Sequence, residues 1–299
     1  VVVKAQLEHP VLVDGELELV VTGARWSEGP VWIPATSRLR WSDIPTSRVL
    51  EWWPGLTAPS VYRDDAEFTN GRTLDVDGAI IECSHGHRAI ERDDAGELST
   101  VVDTYHGARL NSPNDVIVAA DGTVLFTDPP YGIVQADEGH PGEREYGDNA
   151  VFRFDRHTGL LEPAVLDMEE PNGLALSPDE RVLYVADTSS VFRRDGTGHA
   201  HIRAYDVLPG FRCKNGRVFA VPGGLPDGLR VDREGRIWTS AGTGVEVYTP
   251  EGRLLLRVEV PEKVGNLCFG GASGTELFIA ATTSIYRLRT TTTDATKGR

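Results

Sequence analysis

A single unit returns six times along this chain, and that repetition restricts the fold more than any other feature. Its clearest copy reads Pro171-Asn172-Gly173-Leu174-Ala175-Leu176-Ser177-Pro178-Asp179-Glu180, then Val182-Leu183-Tyr184-Val185-Ala186-Asp187. A polar residue comes first, usually before a small one. A short apolar strand follows, then a turn rich in Asp, Glu or Gly, then a second strand. The opening residues are Glu28, Asn70, Asn114, Asn172, Asp227 and Asn266, at intervals of 42, 44, 58, 55 and 39 residues. A four-stranded propeller blade takes roughly 40–45 residues. The two long intervals leave room for loops at about 130–147 and 189–201. A third strand follows most units, as in Val49-Leu50-Glu51-Trp52 and Val151-Phe152-Arg153-Phe154.

Helical periodicity is nearly absent. Short runs of Val, Ile, Leu, Phe, Tyr and Trp end at Gly, Pro, Asn or Asp, which is the pattern of strands and turns. The expected fold is all-β: one six-bladed β-propeller over residues 1–299 with a central channel. Residues 11–19 are expected to supply a strand that closes the ring, and 290–299 a frayed tail. Radial repetition also protects sheet edges.

In a propeller, equivalent positions of all blades face one axis. The six opening residues should therefore meet at one end of the channel. They are one Glu, one Asp and four Asn, all oxygen donors and none basic. Such a set suits a hard divalent cation, and calcium, with 6–8 oxygen ligands in flexible geometry, suits it best. Zinc, magnesium and manganese are the alternatives. Asn-Gly and Asp-Gly are also ordinary turn dipeptides. Turn chemistry explains neither their place at the head of every unit nor the glutamate at position 28.

Net charge is −15, with no basic run, so no nucleic-acid partner is expected. No apolar stretch has the length of a membrane span. Three cysteines, Cys83, Cys213 and Cys268, stand far apart, against a disulfide framework or thiolate zinc site and in keeping with a cytoplasmic location. A monomer or weak homo-oligomer is expected.

Several stretches resemble the gluconolactonase and senescence-marker-protein family, which includes regucalcin. They are Ser27-Glu28-Gly29-Pro30-Val31-Trp32, Trp41-Ser42-Asp43-Ile44-Pro45, Leu110-Asn111-Ser112-Pro113-Asn114-Asp115-Val116, Phe126-Thr127-Asp128-Pro129-Pro130-Tyr131-Gly132, Pro171-Asn172-Gly173-Leu174-Ala175 and Pro226-Asp227-Gly228-Leu229. The Asn-Ser-Pro-Asn-Asp form is similar to that of bacterial gluconolactonases, with Ser112 where regucalcin has a substrate-binding Arg. The resemblance implies a propeller with one catalytic divalent metal that hydrolyses sugar lactones. It places Glu28, Asn172 and Asp227 as metal ligands, Asn114 as a metal or substrate ligand, and Asp227 as base or nucleophile.

The chemistry fits that implication. Lactone opening needs a polarised carbonyl, an activated water and a protonated ring oxygen. A metal polarises the carbonyl, and Asp227 can take the water's proton. Direct attack by Asp227 is the rival route. Asn70 and Asn266 are candidates to bind substrate hydroxyls, and His85, Tyr131 and Arg109 are candidate contacts at the channel mouth. Asp43, Asp128 and Asp187 recur at the end of second strands, where inter-strand hydrogen bonding is expected. Two other functions suit the same site: a phosphotriesterase-like hydrolase, and a calcium-binding propeller without catalysis.

Overall fold

The structure, a computed structural model, describes residues 11–193 and 195–296. Six four-stranded antiparallel sheets form six blades. Their innermost strands are Ser27–Ile33, Thr69–Leu74, Val116–Val118, Pro171–Leu176, Leu229–Val231 and Val264–Gly270, in blades one to six. Each inner strand packs beside the inner strand of the next blade, and blade six returns to blade one. In the first five blades the strands run outward in chain order.

Ring closure departs from the sequence expectation. The strand that completes blade six is Glu18–Thr22, paired antiparallel with Ser284–Arg289. The expected strand at 11–19 overlaps it only at its end. Val11 and Leu12 are buried instead near the C-terminal segment, where Leu12 bridges Thr290. Both runs hold apolar residues, Val11-Leu12-Val13 in one and Leu19-Val20-Val21 in the other. The one that pairs is the one whose Glu18 meets Arg287, an ion pair at 2.6 Å. The expected fraying at 290–299 is also corrected. Thr290, Thr292 and Thr293 are buried, and Ala295 N donates to Val231 O at 2.9 Å. These residues hydrogen-bond to blade five and to one another. Residues 297–299 lie outside the described residues.

The core lies in the seams between blades. Trp238, Val247 and Leu256 of blade five meet Leu267, Phe269 and Ile279 of blade six. Trp32, Trp41 and Leu50 of blade one meet Phe278 and Ile285 of blade six, with Trp32 stacked on Phe278. Burial of such side chains stabilises by roughly 1.5–3 kcal/mol each. The seam between blades one and two differs. Its buried apolar cluster is only Val31, Ile33 and Ile80. An ionic lattice fills the rest: Arg40 pairs with Glu51 at 2.8 Å and covers the Tyr62 ring, and Arg63 pairs with Glu82 and Asp93. Cys83 and Cys268 are buried, as small apolar residues of strands are expected to be.

Candidate active site at the channel mouth

The six opening residues stand at the head of the inner strands, at one end of the channel. In blades one, two, four and six the strand register slips at this point, a bulge beside Glu28, Asn70, Asn172 and Asn266. A bulge re-aims a side chain out of the pleat. A second device recurs in all six blades. The polar residue at the end of the second strand grips the segment leading into the site. Asp43 accepts from Arg25 N at 2.8 Å, Asp128 from Asn111 N at 2.8 Å, and Asp187 from Glu169 N at 3.1 Å. Ser84 Oγ donates to Glu67 O, Ser240 Oγ accepts from Asp227 N at 2.7 Å, and Thr282 Oγ1 donates to Lys263 O. Inter-strand hydrogen bonding was expected for the three aspartates; their carboxylates instead hold the connecting segments that lead into the inner strands.

The glycine that follows four of the opening residues has a reason unrelated to turns. Gly71 N donates to Asn114 O of the next blade at 2.8 Å, and Gly173 N to Asp227 O at 3.2 Å. A Cβ on Gly71 would lie 2.7 Å from Asp115 Cα, and one on Gly173 would lie 2.8 Å from Gly228 Cα. Neighbouring inner strands approach backbone to backbone here. Only glycine leaves the space.

Glu28, Asn114, Asn172 and Asn266 are buried and Asp227 is half-buried. Glu28 Oε2 accepts from Gly29 N at 2.9 Å, while Oε1 is buried without a hydrogen-bond partner. Burial, then the facing Asp227, pushes the Glu28 carboxyl well above the usual range. Asp227 is pushed up to about 7, chiefly by burial, with Glu138 and Asp115 adding to it and Lys263 and Asn172 opposing. Two desolvated carboxyls that repel each other, one with an orphaned oxygen, form a site short of positive charge. The donor set of carboxylate and amide oxygens fits a hard divalent cation. Among the described residues no cluster of three or more His, Cys, Asp or Glu could hold a metal. The candidate set depends on asparagine amides beside its two acids.

Asn172 donates to Thr188 Oγ1 at 3.3 Å, and Tyr131 hydrogen-bonds the same hydroxyl. Tyr131 is thus brought to the Asn172 side of the mouth, stacked against Phe192. His85 is wholly buried behind Asn70. Its Nδ1 lies 2.8 Å from Glu138 O, which can only accept, so Nδ1 carries the proton and Nε2 accepts from the Asn70 amide at 3.3 Å. The ring orients Asn70. Arg109 points elsewhere: its guanidinium donates to His87 O, and it is exposed.

Burial holds the His85 imidazole down to about 4. Between pH 4 and 6.5 the unfolded chain therefore binds the extra proton, so stability falls as pH falls through that window. The full difference is about 3 kcal/mol at 1.36 kcal/mol per unit. Urea midpoints of wild type and His85→Gln, measured from pH 7.5 to 4.5, should converge as the pH drops. Parallel curves would rule the effect out.

Sequence reading missed Asp115, Glu138 and Lys263. Asp115 is buried, with Oδ2 3.5 Å from Arg230 of blade five across the channel. It could have been noticed, because it stands where four other units have glycine. Below it the channel widens at the opposite face into a cavity of ≈ 500 Å³, lined by Trp32, Arg72, Arg230, Phe269 and Asp294. This cavity and the acidic mouth are thus at opposite ends.

Fold and mouth define a class: six-bladed propellers with one polar site on the axis. The chain belongs to the SMP-30/Gluconolactonase/LRE-like family, whose model matches residues 26–283. It is 35% identical to the gluconolactonase of Zymomonas mobilis, over 92% of this chain and 82% of that one. A solved Xanthomonas campestris structure, described as a gluconolactonase important in glucose secondary metabolic pathways, superposes with TM-score 0.89 at 39% identity, covering 96% of this chain and 93% of that one. A regucalcin from Agrobacterium tumefaciens, described as a calcium-binding protein, shares the fold with TM-score 0.71 at 18% identity, over 94% of each chain.

Proposed function

We propose that this protein is a divalent-metal-dependent lactonase that opens sugar lactones at the acidic mouth. The observation that carries the metal is the buried, unpartnered Glu28 Oε1 beside the Asp227 carboxyl. Similarity to gluconolactonases over most of the chain supports the reaction class. Glu28, Asn114, Asn172 and Asp227 would hold the ion, and calcium suits their chemistry best. When bound, the ion supplies polarisation of the lactone carbonyl.

The protein's own groups do the rest. Asp227 takes a proton from the attacking water as its oxygen bonds to the carbonyl carbon. The same proton then serves the ring oxygen as the carbon–oxygen bond breaks, leaving a hydroxy acid. A ligating carboxylate is a weak base, so proximity to the water matters more than basicity. Asn70, fixed by His85, and Asn266, whose Oδ1 accepts from Leu267 N at 2.8 Å, present amides to substrate hydroxyls. Tyr131 shapes the opposite wall.

A pH-stat panel of glucono-, galactono- and xylonolactones tests this. Acid release is expected, lost with chelator and restored by Ca2+. Chelator-insensitive turnover would remove the metal from the mechanism, and no turnover on any lactone would remove the reaction.

A further inference from the structure

The asparagines at the mouth do not all offer the same atom. An amide has an oxygen that accepts and a nitrogen that donates, and whatever holds one end leaves the other free. Asn266 Oδ1 accepts from Leu267 N at 2.8 Å, so its nitrogen is the free end. Asn70 is held by the opposite end, its nitrogen against His85 Nε2 at 3.3 Å. Asn172 is held as Asn70 is. Its nitrogen donates to Thr188 Oγ1 at 3.3 Å, and its Oδ1 accepts no hydrogen bond among the described residues. The next residue, Gly173, makes the contact with Asp227, its N donating to Asp227 O at 3.2 Å.

The Thr188 hydroxyl is committed to holding that nitrogen. It is buried, with one proton and two lone pairs to place. Tyr131 is buried too, and Thr188 Oγ1 is the only partner of its hydroxyl among the described residues. A tyrosine hydroxyl that did not donate here would bury an unpaired proton, so Tyr131 donates and occupies one lone pair. The proton of Thr188 is turned to Glu170 O, 3.5 Å away. The remaining lone pair needs a donor, and the Asn172 nitrogen supplies it. A flipped amide would set Oδ1 against an oxygen with no proton to give. The backbone fixes the hydroxyl in turn: Thr188 N donates to Glu170 O at 3.1 Å, and Ser189 N to Asp187 Oδ1 at 3.0 Å.

A hard cation binds the oxygen of an amide; the nitrogen would present protons to it instead. We propose that Thr188 is a positioning residue of the metal site: by taking the Asn172 nitrogen, it leaves Oδ1 as the end that the ion receives. Tyr131 sets the hydroxyl, the hydroxyl sets the amide, and the amide supplies the ligand. This rests on the reading of Asn172 as a metal ligand. Asn266, outside that ligand set, is held by its oxygen, which leaves a donor for substrate.

The test is calorimetric titration of the metal-free protein with Ca2+, read as Kd. Thr188→Val keeps the shape of the side chain and removes the hydroxyl. Thr188→Ala is the second variant should valine not fold, and thermal melts without metal decide which is used. Loss of a partner that orients a metal ligand costs about 10–100-fold in affinity, so Kd should rise about tenfold or more. Thr188→Ser, which keeps the hydroxyl, should stay near the wild-type value. The same substitution in an Asn172→Asp background separates orientation from packing. A carboxylate offers an oxygen whichever way it turns, so loss of the hydroxyl should cost little affinity there. Equal losses in the two backgrounds overturn the positioning role, as does an unchanged Kd in the folded variant without the hydroxyl. A wild type that binds none of Ca2+, Mg2+, Mn2+ and Zn2+ overturns the metal reading, and the positioning role falls with it.

Discussion

Replacing Asp227 by asparagine is expected to lower lactone turnover by about 10³-fold or more, because in the proposed mechanism one change removes the general base and a charged ligand. The same change should not weaken the fold. Burial pushes both carboxyls upward, and the charge of Asp227 pushes Glu28 further. Removing one charge relieves that repulsion. The metal-free variant should therefore melt at or above the wild-type temperature. Added Ca2+ should raise the wild-type Tm by mass action and leave the variant's nearly unmoved. This signature separates a site residue from a structural one. A variant that loses activity and also melts several degrees lower without metal would reassign Asp227 to the scaffold. One that keeps activity would remove it from catalysis.

The second large effect concerns a residue with no side chain. Gly173→Ala would set a methyl against the Asp227 carbonyl and 2.8 Å from Gly228 Cα, all of it backbone of the next blade. No flexible side chain can move aside. Overpacking of this kind costs roughly 1–3 kcal/mol, occasionally more, and here the strand that must yield carries Asp227. We expect a Tm lower by several degrees together with a loss of Ca2+ affinity, although residue 173 offers no ligand. Gly235→Ala is a useful contrast. Its added Cβ meets mainly Pro250 at 3.3 Å, and its strain comes from φ +80, in the turn after the inner strand of blade five, at the other end of that strand from Asp227. It should cost stability with no effect on metal affinity. Equal loss of affinity in both variants would contradict the role given to Gly173.

Much of this was legible in the chain. The blade count followed from the spacing of Glu28, Asn70, Asn114, Asn172, Asp227 and Asn266, because radial symmetry turns a sequence period into a meeting point. The glycines after them were harder. Asn-Gly reads as a turn, yet Gly173 lies inside a strand, and its smallness answers to a neighbouring blade 55 residues further along. Asp115 interrupts that glycine pattern because its carboxylate is directed to Arg230. Glu138 and Lys263 lie on connections with no period, where only the folded loop shows what a side chain faces. The closing strand was misplaced for a related reason. Two apolar runs competed, and the choice depended on a partner more than 260 residues away.

That closure has a kinetic consequence. Glu18–Thr22 must find Ser284–Arg289, more than 260 residues further along, so blade six lacks its outer strand until that later segment has been made. Loop-closure entropy grows slowly with length, but long-range pairing slows folding markedly. Closure of the ring is therefore a docking of two segments distant in sequence. Until it happens, Ser284–Arg289 presents an open edge to any other unpaired strand, including the same early strand of a second copy. Refolding at high protein concentration should favour chains that exchange Glu18–Thr22, while dilution favours the closed ring.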